Sequence, residues 1–155
     1  MTTDRIQRLG QGAYWQDLQV HQKFDTFRRT VTEADLVNFI SVTGMLEAIF
    51  IDDTFNQGAM QGRPVPGALT YTLIEGFILQ SMIQGTGLAM LELHQVIHHP
   101  VMVGDTISAE IDLIEIRPTS HSGRAVVTSV NRVHNQHNVC VMTYTAKRLL
   151  AGRPE

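Results

Sequence analysis

The chain has 155 residues, 43% of them apolar and 17% charged, which is the size and composition of one globular domain and excludes a disordered segment. A net charge of −3, with basic residues adjacent only at Arg28-Arg29 and Lys147-Arg148, argues against nucleic acid or an anionic membrane as a partner. The single cysteine, Cys140, excludes an internal disulfide and a Cys-rich metal site.

In chain order, residues 1–21 show no period and read as an arm anchored by Tyr14 and Trp15. Asp4, Arg5 and Arg8 break the stretch that a leader would need apolar, and no run nears ~18 apolar residues, so a cytoplasmic protein with no membrane span is expected. Lys23 to Val31 leans toward β. Thr32 followed by Asp35 predicts a capping box, Leu36, Phe39 and Ile40 mark one helical face, and Gly44 ends that helix. Residues 45–66 are irregular, with a short helical turn expected from Asp52-Asp53 to Asn56. Ala68 to Ile83 predicts a long helix whose apolar residues cover its whole circumference, so it should be buried on nearly all sides. Everything after Gly87 reads as strand: Leu88–His99, a run from Ile107 with a bulge near Leu113, Arg124–His134 and Val139–Leu149. The predicted class is α+β. A curved antiparallel sheet wrapped around one central helix buries these patterns best, which is a hotdog fold over residues 22–150 with a tail at 151–155.

Four segments carry a family resemblance. They are the 30–40 run closing on Thr43-Gly44, Pro66-Gly67-Ala68-Leu69, Pro100-Val101-Met102-Val103-Gly104-Asp105-Thr106, and Asn135-Gln136. In order and spacing they resemble the MaoC-like hotdog dehydratases, which include the (R)-specific enoyl-CoA hydratases, over roughly Lys23 to Leu149. The resemblance implies hydro-lyase activity on an acyl thioester of CoA or an acyl-carrier phosphopantetheine, with no cofactor beyond the one the substrate bears. It also implies a homodimer or higher hotdog oligomer and a backbone N–H at Gly67 in the thioester oxyanion hole, with Ala68 beside it. A helix N-terminus offers such donors, and glycine lets a ligand approach.

One segment departs from the pattern. Where the family carries an acid–base Asp and His after the first helix, this chain has Met45 and Phe50. Hydration needs one group to deprotonate water and another to protonate the α-carbon, and a thioether and a benzyl ring do neither. The expectation is a thioester-binding chain with hydratase chemistry lost or altered, in a pocket near Met45, Phe50, Gly67 and Ala68. The alternatives are a supporting subunit beside a catalytic hotdog partner, or a thioesterase using a carboxylate. The carboxylate candidates are Glu47, two residues beyond Met45; Asp52, two beyond Phe50; and Glu75, the one charged residue of the central helix. Glu75 equally suits pairing with an Arg or a place at a dimer seam, and Asp52 a helix cap. Met45, Met60, Met82 and Met90 would make an acyl channel adaptable or simply fill the core. Seven histidines suggest no metal site: His94 and His98 stand about 13 Å apart at strand rise, and His98 and His99 should face opposite sides. Cys140 reads as packing.

Overall fold

The computed structural model describes residues 6–55, 62–121 and 123–155. Its elements are β1 (Lys23–Asp25), β2 (Arg29–Thr30), α1 (Glu33–Thr43), α2 (Ala48–Ile51), α3 (Gly67–Leu79), β3 (Gly87–Ile97), β4 (Thr106–Pro118), β5 (Ala125–His134) and β6 (Cys140–Leu150). The sheet is antiparallel in the order β1-β4-β5-β6-β3, and β2 also pairs with β4. Leu69, Ile74, Phe77 and Ile78 of α3 join Ile107, Ile111, Val127, Val133, Met142 and Tyr144 of the sheet in one core. This is the α+β hotdog arrangement expected from the sequence.

Local chemistry explains the boundaries. Thr32 Oγ1 accepts from the Asp35 N–H at 3.2 Å while Asp35 Oδ2 accepts from the Thr32 N–H at 2.9 Å, the predicted capping box. Burial disfavours the Asp35 charge, but these bonds and Arg29 outweigh it and hold the carboxyl below its ordinary range. Gly44 closes α1 at φ 72°, the left-handed conformation that suits glycine. The bulge predicted near Leu113 is the register shift between Leu113 and Glu115.

Four expectations are corrected. The first strand is two short ones, because the chain leaves the ladder after Thr26, whose N–H and Oγ1 both bond Ala109. The helical turn lies at Ala48–Ile51, before Asp52, and Asn56 is outside the described residues. The central helix stops at Leu79, four residues early, where the Ser81 hydroxyl turns back onto the Phe77 carbonyl. Ile83 stays buried in the turn beyond, so the apolar pattern outlasts the helix. Nor is α3 buried all round: Ala68, Thr72 and Leu79 are exposed along one flank.

The arm is stitched to this body. Gly12 and Ala13 donate to Gln84 O and Met82 O at 2.8 and 2.7 Å, and a Cβ at Gly12 would strike the backbone of Ile83 and Gln84. Trp15 packs on the core and donates from Nε1 to Gly123 O at 2.6 Å. Two of the sequence motifs interlock as well. Gln136 Nε2 donates to Asp105 Oδ1 at 2.8 Å, Gln136 Oε1 accepts from the Thr106 N–H at 3.0 Å, and Asp105 Oδ2 accepts from the Met102 N–H at 2.8 Å. The Gly-Asp-Thr loop and the Asn-Gln turn therefore hold each other. That loop in turn pairs with the strand-like lead into α3 through Val65 N–H to Val101 O and Val103 N–H to Arg63 O.

Strand β3 is one edge of the sheet, opposite β1. Apart from half-buried Gln95 it is exposed on both faces, including Leu88, Met90, Leu91, Leu93, Val96 and Ile97. Among the described residues no helix is long and apolar enough to cross a membrane.

Candidate functional site

Where α3 begins, Gly67 lies so close to β3 that a Cβ there would meet Ile97 Cδ1, with Gln95 Nε2 at 4.0 Å. The first N–H groups bonded within this turn are those of Leu69 and Thr70, both to Pro66 O. Gly67 and Ala68 donate to no group among the described residues, which leaves two helix N-terminal donors free for an acceptor. Beside them opens a cavity of about 320 Å³ lined by Ile49, Phe50, Pro64–Gly67 and Ile97–Pro100. Its walls are mostly apolar. Arg63 fixes the Phe50 side of the cavity: it donates to Phe50 O at 3.1 Å and pairs with Asp53 at 3.1 Å and with Glu33 of α1.

The structure brings Phe50 and Gly67 together, as the sequence reading requires, and leaves Met45 and Ala68 outside the lining. Met45 is partly exposed in the link between α1 and α2, and Ala68 is exposed on the α3 flank. Glu47 caps α2 by accepting from the Ala48 N–H at 3.1 Å. Asp52 follows α2 as its C-cap and accepts from Thr54 N–H at 2.9 Å and Thr54 Oγ1 at 2.6 Å. Those bonds draw its carboxyl below the usual range. Both carboxylates thus serve turns. The methionines do not gather: Met90 and Met82 line separate cavities, and Met60 is outside the described residues.

Glu75 lies elsewhere, under a cavity of about 480 Å³ between the later part of α3 and the start of β3. Its Oε1 accepts from Tyr144 Oη at 2.8 Å and from Arg148 Nη2, and its Oε2 from Arg148 Nη1 at 2.6 Å. Of the two possibilities left open for Glu75 by the sequence, pairing with an Arg is the one seen. Burial, and then Glu75, push the Tyr144 phenol far above its ordinary range; burial opposes the Arg148 charge, and Glu75 more than offsets it. Three donors on one carboxylate make an ion pair that fastens α3 to β6, not a free nucleophile.

Two site residues escaped sequence reasoning. His98 and His99 both donate their backbone N–H to Val141 O, at 2.8 and 3.2 Å, so two residues oppose one. This bulge ends the regular ladder, and both residues border the Phe50–Gly67 cavity. The Pro100 that follows was the available signal, since it ends the ladder. His98 Nε2 shares a hydrogen bond with Thr143 Oγ1 at 3.0 Å. Among the described residues no three His, Cys, Asp or Glu side chains converge as a metal site would need.

The sequence matches no family model and no curated protein. Solved structures do match. A monoamine oxidase regulatory protein from Archaeoglobus superposes with a TM-score of 0.83 at 25% identity, over 93% of this chain and 97% of the other. A MaoC-like dehydratase from Rhodospirillum rubrum gives 0.83 at 23%, over 93% and 100%. An (R)-hydratase from Pseudomonas aeruginosa, unliganded, gives 0.75 at 24%, over 90% and 86%. The chain has the hotdog fold, and its structural neighbours include MaoC-like dehydratases and (R)-hydratases.

Proposed function

We propose that this chain binds an acyl thioester, of CoA or of an acyl-carrier phosphopantetheine, in the Phe50–Gly67 cavity, and that it has lost or altered the hydratase chemistry of its structural neighbours. The observation that carries the reading is the free N–H donor of Gly67 at the start of α3, beside an apolar slot walled by Ile49, Phe50 and Ile97. The donor suits a thioester carbonyl and the slot suits an acyl chain. Among the described residues no carboxylate lines the cavity, and the family resemblance puts Met45 and Phe50 at the positions of its acid–base Asp and His, with Phe50 alone of the two in the lining. Loss of one positioned acid or base costs about 10²–10⁴ in rate, and here two are replaced. The test is titration calorimetry with butyryl-CoA beside a hydration assay on crotonyl-CoA. Binding with hydration at least about 10²-fold below ordinary enzymatic rates is expected; hydration at ordinary rates overturns the argument from Met45 and Phe50, and no binding at millimolar ligand overturns the whole reading.

We place the chain in the cytoplasm and in a dimer. The exposed apolar residues of β3 and its unpaired edge favour a second hotdog, and pairing two such edges into one sheet removes an aggregation liability. Sedimentation at micromolar concentration should give a dimer, and Leu93→Asp a monomer; a wild-type monomer would count against this. The same edge favours a second reading, a supporting subunit beside a catalytic hotdog, for which co-purification of a chain with an intact Asp/His pair is the check.

A further inference from the structure

We propose that His99 is the general base of a thioester hydrolysis in the Phe50–Gly67 cavity, an activity that rests on the acyl-thioester reading of that cavity and gives its altered chemistry a form. Hydration of an enoyl thioester needs groups placed at two carbons. Hydrolysis needs one base beside the carbonyl carbon and a donor for the oxyanion. The cavity holds that shorter set.

Among the described residues, the carboxylates around the cavity are already engaged. Glu33 and Asp53 are paired with Arg63, Glu47 caps α2, Asp52 is held by Thr54, and Asp105 is held by Gln136 and the Met102 N–H. His98 is engaged by Thr143. The His99 imidazole makes no hydrogen bond among the described residues. It lines the main cavity and also a recess of about 30 Å³ that it shares with Gly67, Thr70 and Met142. His99 and the Gly67 donor thus border the same two adjoining voids, next to the bulge at Val141.

The chemistry balances without a cofactor. The imidazole takes a proton from water as the water oxygen bonds to the thioester carbon, and the carbonyl π pair moves onto oxygen, where the Gly67 N–H receives it. Collapse re-forms the carbonyl and breaks the carbon–sulfur bond. The departing thiolate takes the proton from the imidazolium, which leaves a carboxylic acid, a free thiol and the original imidazole.

The experiment measures thiol release from butyryl-CoA and, separately, calorimetric binding of its non-hydrolysable thioether analogue. The wild-type chain should release CoA faster than buffer alone. His99→Gln should slow release about 10²-fold while the analogue's Kd changes less than about 3-fold. Free imidazole should restore part of the rate to His99→Gly, a rescue that a structural role would not give. His121→Gln, in the β4–β5 turn, should behave as wild type. Analogue binding without thiol release above buffer, or wild-type release by His99→Gln, overturns the role of His99 and leaves the binding reading standing. Failure of the analogue to bind overturns both.

Discussion

Arg148→Met alone should lower the free energy of unfolding by about 3–5 kcal/mol, because it strands the Glu75 carboxylate in the core. The Arg148 and Glu75 side chains are only 6% and 9% exposed, so water replaces the lost partner poorly. The double change Glu75→Leu with Arg148→Met should cost far less than either single change. Removing both charges also removes both desolvation penalties, including that of Arg148 Nε, which is buried with no acceptor. Urea unfolding at fixed chain concentration measures this; a fixed concentration matters because dimerisation adds to apparent stability. A single-variant loss below about 1 kcal/mol would mean that the pair is effectively solvated.

Phe50→Asp should weaken acyl-thioester binding at least about 10-fold, since it sets a charge against the apolar wall where the acyl group lies. Phe50 packs against the core and its carbonyl is held by Arg63, so the new carboxylate would stay aimed at the cavity. Asp25→Asn on β1, at the opposite edge of the sheet, supplies the control. Calorimetry with butyryl-CoA reads both, and undiminished binding by Phe50→Asp would move the acyl chain elsewhere.

Features written in consecutive residues were legible before the structure. The Thr32/Asp35 capping box, the Gly44 stop and the Leu113 bulge depend on neighbours in sequence, and each stands where the pattern put it. The end of α3 did not show, because Ile83 is buried in a turn and continues the apolar series past the last helical residue. The exposure of β3 did not show either: a strand with apolar residues on both faces reads as doubly covered when taken alone. Within the site, Phe50 and Gly67 could be brought together through the fold expected from the resemblance. The Glu75–Arg148 pair joins residues far apart in sequence, and the His98–His99 bulge depends on a carbonyl of another strand, so neither has a local signature.

The strand order also sets a sequence of events for the chain as it folds. The β4–β5–β6 meander joins sequence neighbours through short turns, whereas β3 must reach β6 and β1 must reach β4 across long stretches. Closing those stretches costs entropy before any contact repays it, so the meander is the natural nucleus and the edge strands dock onto it afterwards. The cavity is bordered by the end of β3 and the start of α3, both outside that nucleus. It is therefore assembled late and opens early, and a thioester seated in it strengthens the part of the sheet that the chain by itself holds least firmly.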